Sequence, residues 1–329
     1  MLNHQHHSAE TEDILHVLAE RQREARHHVL RTGPAFYEHL RPSGVCIRVL
    51  RHGALSPEQR DALGTFRLDQ YGLHGLYRPE IIVERDLRVD PMLDRLEASA
   101  LHLLALGAQD ELLTYTCLQG PSAVAPHALT NGAVPRLRDS ERPIFPTETR
   151  FGMSLFPSLP ALADLPITAV VEVSRLVRNS VVRAPEARFA TFDLAYVLTR
   201  LLINPELGLS ATIGRMMREA RRLFYELRMP MLYAPDAPLL VHDTIPGEDF
   251  WTPSSQAPGA FWPYAAATAD VRAIEPYLVR LNQALDAPLE HILPQMKEIL
   301  STTAPNPPTS LLREAARSPL RWTADATTR

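Results

Sequence analysis

Two charged residues, Glu172 and Arg175, occur inside a segment whose other residues are typical of a buried strand. The segment from Pro166 to Val177 is rich in β-branched side chains, which favour strands. An ionised side chain that is removed from water costs several kcal/mol unless it is paired and hydrogen-bonded. The pattern therefore indicates that each charge either pairs with another charge of the protein or faces a polar ligand.

Several predicted elements surround this segment. A strand pattern from Val45 to Leu50 is followed by Ser56 and Pro57, which mark the capped start of a helix. A cap at Ser8 or Thr11 predicts a helix near the N-terminus. The other elements that periodicity predicts are helices over Asp90 to Leu106, Ser210 to Met229, Val271 to Leu285 and Pro288 to Leu300, and strands over Leu112 to Leu118, Met231 to Tyr233 and Leu239 to His242.

Three short motifs follow one another along the chain: Arg142-Pro-Ile-Phe-Pro-Thr147, Phe151-Gly-Met-Ser-Leu-Phe-Pro157 and Glu172-Val-Ser-Arg175. Their order and spacing resemble the acyl-homoserine-lactone synthase family and its relatives that make N-acyl amino acids. The first motif is one residue longer than the family's usual Arg-Leu-Leu-Pro-Thr. The resemblance extends over roughly positions 65 to 180.

The resemblance implies an α/β fold of the acetyltransferase (GNAT) type, with a central mixed sheet flanked by helices. It implies an N-acyltransferase that moves an acyl chain to the amine of a small metabolite such as an amino acid. The donor would be the thioester of an acyl carrier protein or of CoA, used as a co-substrate, with no bound cofactor. The catalytic residues would be Glu172, Ser174 and Arg175, with Glu172 orienting the amine or accepting its proton through water. The substrate-binding residues implied are Arg67, Tyr71, Arg142 and Phe151.

Glu172 and Arg175 are three residues apart, so an uninterrupted strand would place them on opposite faces of a sheet. A β-bulge would bring them to one face. The corresponding strand of the superfamily carries a bulge that exposes backbone N–H groups to the thioester oxygen. We therefore predict a bulge within Val173 to Leu176.

Two departures from the family pattern bear on the substrates. The family's acidic cluster is replaced by a longer segment with Glu80, Glu84, Asp86 and Asp90, which argues against S-adenosylmethionine. The Gln/Arg-x-x-Gly-x-Gly loop that binds pyrophosphate is missing, which favours a carrier-protein thioester over acetyl-CoA. Two alternatives stay open: an autoinducer synthase that uses S-adenosylmethionine, and a catalytically silent binding module of the same fold.

Two further features allow both a structural and a functional interpretation. The predicted helix from Ser210 to Met229 carries arginines opposite its apolar stripe, and this face is either solvated or a docking site for an acidic carrier protein. An aromatic, loop-rich segment after Pro246 forms either a lid over an acyl pocket or a small satellite core. The docking arginines are Arg215, Arg218 and Arg222, and the aromatic residues are Trp251, Phe261, Trp262 and Tyr264.

The composition is that of an ordinary globular protein. The chain has 329 residues, 45% of them hydrophobic, and a net charge of -4, which argues against nucleic-acid binding. No apolar run is long enough for a transmembrane helix, and Met1 to Glu10 lacks the apolar core of a signal peptide, so a cytoplasmic location is expected. Cys46 and Cys117 are expected to be reduced thiols in the core. The N-terminal histidines predict a polar tail and no metal site.

We expect four regions along the chain. Residues 1–44 form an N-terminal helical extension and residues 45–245 the acyltransferase-like domain. Residues 246–300 form a helical C-terminal extension, and residues 301–329, rich in Pro, Thr, Ala and Arg, form a disordered tail.

Overall fold

A computed structural model describes residues 9–120, 145–151, 159, 162, 165–217, 221–237, 250–252, 260–302, 311 and 323–324 of the chain. These residues build one mixed sheet with helices on both faces. The strands are β1 (Tyr37–Leu40), β2 (Cys46–Arg51), β3 (Leu101–Leu106), β4 (Leu112–Gln119), β5 (Val170–Arg178), β6 (Ala211–Met217), β7 (Leu232–Tyr233), β8 (Phe261–Ala267) and β9 (Thr323–Ala324). The α-helices are α1 (Ala9–Glu24), α2 (Pro57–Leu73), α3 (Pro79–Glu84), α4 (Pro146–Phe151), α5 (Ala187–Leu202), α6 (Arg221–Glu226), α7 (Thr268–Arg272), α8 (Glu275–Leu285) and α9 (Leu289–Thr302).

The strand order across the described sheet is β1-β2-β3-β4-β5-β6-β8-β7-β9. The pair β5 and β6 is parallel, and the other pairs in this order are antiparallel. The sheet therefore confirms the prediction of a mixed α/β fold with flanking helices.

The two faces of the sheet pack against different helices. We call the face that carries Glu172 the front face and the face that carries Val173 the rear face. Apolar side chains of the front face pack with α1 and α2, and those of the rear face pack with α5 and α8. Both faces are covered, so strand β3 is apolar in every position except His102, as strands buried on both sides usually are.

Helix α2 begins where the sequence predicts. The Ser56 hydroxyl accepts a hydrogen bond from the backbone N–H of Gln59, the Gln59 side chain accepts one from the N–H of Ser56, and Pro57 occupies the first turn. This cap fixes the start of the helix and hence the direction in which Arg67 and Tyr71 project from it.

Two of the predicted helices are wrong. In the segment from Asp90 to Leu106, a short 3₁₀ turn at Leu93–Arg95 precedes strand β3. The segment from Ser210 to Met229 contains β6 and the short helix α6. Both β3 and β6 have a strand on each side. A buried strand with apolar residues in most positions mimics helical spacing, so periodicity alone does not separate the two.

The regional boundaries also need correction, because strands of the one sheet come from each predicted extension. Residues 1–44 contribute β1, residues 246–300 contribute β8, and β9 of the expected disordered tail pairs with β7. Strand β8 lies between β6 and β7, so this region contributes a strand to the interior of the sheet. The predicted helices of this region are present as α7, α8 and α9. The predicted strand over Leu239 to His242 and the N-terminal histidines lie outside the described residues.

Candidate functional site

A gap opens between β5 and β6 part-way along the sheet. Their parallel pairing ends at Glu172 and Ile213. Beyond this point β5 stays paired with β4 and β6 stays paired with β8, so the two strands separate. The first carbonyl past the last pair, that of Val173, accepts a hydrogen bond of 2.9 Å from the Tyr264 hydroxyl.

The predicted β-bulge is present on β5 at this gap. Ser174 is paired with Cys117 and Val177 with Tyr115, so two residues of β5, Arg175 and Leu176, face a single residue of β4. Arg175 has a φ of 63°, a left-handed conformation that costs a non-glycine residue on the order of 1–2 kcal/mol.

The bulge changes which residues share a face. Val173 packs in the rear core and Val177 in the front core, although two residues four positions apart in a regular strand lie on the same face. Arg175 contacts front-face groups and therefore lies on the same side of the sheet as Glu172. The two charges meet at one cavity, as the spacing argument requires.

This cavity has a volume of about 140 Å³ and passes through the gap between the strands. Its front half is charged and aromatic, and its rear half is apolar. The front half is lined by residues that include Tyr71, Glu172, Ser174, Arg175, Arg215, Trp251 and Phe261, and the rear half by Val173, Leu176, Met216, Phe224 and Tyr264.

Glu172 is buried, with 2% of its surface exposed. A side-chain oxygen accepts a hydrogen bond of 2.9 Å from the backbone N–H of Thr147. Burial raises the pKa of Glu172 above the ordinary range, although this hydrogen bond and the charges of Arg215 and Arg175 oppose the shift. A raised pKa makes the carboxylate a stronger base near neutral pH.

Arg175 belongs to a buried ion network behind the cavity. Its guanidinium lies 3.5 Å from a carboxylate oxygen of Asp90. The same oxygen accepts a hydrogen bond of 2.8 Å from Nε of Arg67 and forms an ion pair of 2.6 Å with Nη2 of Arg67. Asp90 accepts two more, from the Tyr77 hydroxyl at 3.1 Å and the Met92 backbone N–H at 2.9 Å. Burial alone would raise the pKa of Asp90, but the two arginines outweigh it and hold the pKa below its ordinary value.

The structure places the predicted substrate-binding residues differently. Tyr71 lines the cavity, with the Arg175 guanidinium 5.8 Å from the centre of its ring. Arg67 is fully buried and supports Arg175 through Asp90 without lining the cavity. Arg142 lies outside the described residues, and Phe151 ends α4 with a side chain that is also outside them.

The helix that was predicted to carry the docking arginines does not form. Arg215 lies on β6 and points into the front half of the cavity, with its guanidinium 5.7 Å from the Trp251 ring and 5.3 Å from the Phe261 ring. Arg218 and the side chain of Arg222 lie outside the described part of the chain.

Two other predictions concern nucleophiles. Ser174 lines the cavity, and its hydroxyl accepts a 2.9 Å hydrogen bond from the Gln119 amide. Cys46 and Cys117 are free and buried, as predicted. Burial raises the pKa of the Cys117 thiol, which disfavours the reactive thiolate. Among the described residues, no group of three or more side chains is suited to hold a metal ion, and no helix is long and apolar enough to span a membrane.

Two positions in and behind the cavity are not assigned to it by the sequence. The sequence pattern puts Asp90 in an acidic segment and Arg215 on a helix. Gly214 gave a signal that could have been used, because glycine is unfavourable within a helix and marks a close approach in a strand. A Cβ at Gly214 would lie 2.6 Å from Tyr264 Cζ and from the Val173 carbonyl oxygen, so only glycine leaves room for the tyrosine.

Comparisons with known proteins agree with the resemblance seen in the motifs. No family model matches the chain, and no curated protein matches it in sequence. Among solved structures it is similar to FeeM, an N-acyl amino acid synthase from uncultured soil microbes, at 12% identity over 70% of this chain and 93% of FeeM, with a TM-score of 0.43. It is also similar to the acyl-homoserine lactone synthase LasI (10% identity, 69% and 91% coverage, TM-score 0.36) and to BjaI, a CoA-dependent acyl-homoserine lactone synthase (12%, 70% and 88%, 0.35). At these TM-scores the similarities carry no argument about function.

Proposed function

We propose that the protein is an N-acyltransferase that moves an acyl chain from a thioester to the amine of a small metabolite. The observation that carries this proposal is the division of one cavity into a charged front half and an apolar rear half, which meet at the gap in the sheet. Such a cavity suits two reactants of opposite character, a polar amine and an apolar acyl chain. Each would enter from its own side, with the thioester carbonyl held at the gap.

The residues at the gap supply what the reaction needs. The amine nitrogen attacks the carbonyl carbon, the carbon–sulfur bond breaks, and the sulfur leaves as a thiolate. Glu172 takes the proton that the amine loses, directly or through a water molecule, and the same proton is then returned to the thiolate to give the thiol. Arg175 and Leu176, which pair with neither β4 nor β6 in the described sheet, offer backbone N–H groups to the negative charge that develops on the oxygen.

The charges of the front half favour an acceptor that carries a carboxylate. Two arginines, Arg175 and Arg215, line this half of the cavity together with Glu172. Guanidinium groups at these positions attract the carboxylate of an amino acid and repel a cation. This composition supports an amino acid over the cationic sulfonium of S-adenosylmethionine.

The donor arm has a separate approach at the end of β5. A second pocket, of about 320 Å³, shares Leu176 with the cavity and is flanked by Arg178 and Arg188. Both arginines are exposed, as an electrostatic contact with a phosphate requires. This pocket, in place of the helix face predicted from the sequence, would receive the phosphorylated arm of a carrier protein or of CoA.

The silent binding module has less support than the enzyme. It predicts a cleft in which other side chains fill the space around Glu172 and Arg175, whereas both residues line an open cavity.

The test is thiol release from acyl carrier protein and acyl-CoA thioesters, with and without amino acids or S-adenosylmethionine. We expect turnover that requires an amine, and a 10²- to 10⁴-fold lower kcat/KM for Glu172→Gln, the loss typical of a general base. The matched control is Glu148→Gln, since Glu148 is equally buried but does not line the cavity. Release of methylthioadenosine would instead establish an autoinducer synthase, and absence of turnover across the panel would favour the binding module.

A further inference from the structure

We infer that Tyr264 forms the closed end of the apolar half of the cavity and limits the acyl chain to about six carbon atoms. This inference rests on the proposed acyl transfer and adds the class of acyl group and the residue that selects it. The observations that carry it are the position of the Tyr264 ring, the contacts that hold the ring there, and the volume that remains.

The Tyr264 side chain crosses the sheet at the gap. Tyr264 lies on β8 directly opposite Gly214 of β6, and its hydroxyl reaches over this glycine to the Val173 carbonyl of β5. Its ring therefore spans three strands on the rear face. The ring packs beside Phe224 of α6, with the two centres 6.1 Å apart, and both side chains are buried.

The ring is held at both ends. Swinging it away from the cavity would break the hydrogen bond to Val173 and leave a buried carbonyl without this donor, which is unfavourable. Burial raises the pKa of Tyr264, so the hydroxyl keeps its proton and remains a donor across the physiological range. The other apolar residues around it, Met216 and Leu176, have flexible side chains that adjust to a bound chain more easily than a fixed ring.

The volume of the cavity limits the length of the acyl chain. The whole cavity measures about 140 Å³. An engineered apolar cavity of about 150 Å³ binds one benzene molecule, which has six carbon atoms. The apolar half is only part of the space, so about six carbon atoms is the upper limit of what it holds before the chain meets the Tyr264 and Phe224 rings.

The experiment measures binding, so that it does not depend on turnover. S-alkyl pantetheine thioethers with chains of four to fourteen carbons are titrated against the full-length protein. Each buried methylene group is expected to lower Kd about fourfold. For the wild-type protein we expect this gain to stop near six carbons, and a gain that continues through ten or more would overturn the inference.

Three variants locate the limit at the ring. Tyr264→Ala removes the ring and should extend the fourfold gain by four to six further carbons. Tyr264→Phe keeps the ring without the hydroxyl and should keep the wild-type limit. Phe224→Ala opens the same half from α6 without touching the sheet, so it decides the matter if Tyr264→Ala does not fold. An unchanged limit in both alanine variants, or in Phe224→Ala alone when the other is unfolded, would overturn the inference.

The outcome is distinct from that of the proposed function. Thiol release with a chain-length limit that is the same in wild type and in Tyr264→Ala would support the acyltransferase and refute the role of Tyr264. A chain-length limit that changes in the variants of a protein without thiol release would support the role of Tyr264 and refute the proposed enzyme.

Discussion

Replacing Asp90 by asparagine should destabilise the protein strongly. Asp90 and Arg67 are both fully buried and are joined by a hydrogen bond of 2.8 Å and an ion pair of 2.6 Å, and the Arg175 guanidinium lies 3.5 Å from the Asp90 carboxylate. Asparagine has the same shape but no charge, so it leaves two guanidinium groups without their buried counter-charge. Removing one partner of a buried ion pair costs about 3–5 kcal/mol.

The control for this variant is four residues earlier. Asp86 pairs with Arg88 at 2.6 Å, but the two side chains are 77% and 72% exposed. An exposed pair contributes at most about 1 kcal/mol. Asp86 has a φ of 46°, a conformation that asparagine tolerates well, so Asp86→Asn adds no backbone strain. The two substitutions are chemically identical and differ in burial.

The assay is urea unfolding followed by tryptophan fluorescence. For an m value of about 3 kcal/mol per molar urea, Asp90→Asn should lower the midpoint by about 1 to 2 M, and Asp86→Asn by less than about 0.3 M. The pKa of Asp90 is lowered in the folded state, so its stabilisation is present above the unfolded pKa near 4 and is lost as the pH falls through the folded pKa. The difference between wild type and Asp90→Asn should therefore be largest near pH 7 and shrink below about pH 4. Equal midpoints for the two variants at pH 7 would refute the ion network described above.

Three other predictions concern positions in and around the site. Gly214→Ala should destabilise the protein by about 2 kcal/mol or more, because its Cβ overlaps Tyr264. Gly120→Ala, whose Cβ meets no atom of the described residues within 4 Å, should change the urea midpoint little. Glu172→Gln should raise the free energy of unfolding at pH 8, because burial raises the pKa of this carboxyl and the folded state disfavours its charge. The gain should shrink toward pH 4, where the carboxyl is protonated in both states. A loss of stability at pH 8 would contradict this prediction. Ser56→Ala should cost about 1 kcal/mol by removing the cap of α2, and thermal unfolding should show a lower Tm.

Much of the candidate site could be predicted from the sequence, because these features depend on residues that are close together in the chain. The cap at Ser56 depends on residues within one turn, and the helix begins as predicted. The bulge was predicted because Glu172 and Arg175 are three residues apart in a strand and both need polar surroundings. The structure confirms it between Ser174 and Val177.

The sequence failed where spacing has two explanations. β3 and β6 are buried on both faces, so their apolar residues follow no alternating pattern, and both were assigned to helices. Because β6 was predicted as a helix, Arg215 was expected on an outer helix face, whereas it lines the cavity. The aromatic segment after Pro246 allowed either a lid over an acyl pocket or a small separate core, whereas Phe261 and Tyr264 belong to β8, an interior strand of the sheet, and line the cavity from there.

The sequence alone determined that the chain has an α/β fold, that Glu172 and Arg175 need partners, and that a bulge must unite them. Only the tertiary structure decided what those partners are. Asp90 lies 85 residues before Arg175 in the chain, and Tyr264 lies 91 residues after Val173. Contacts of such separation depend on strand order and register, which follow from burying the whole sheet at once, and no local pattern of residues encodes them.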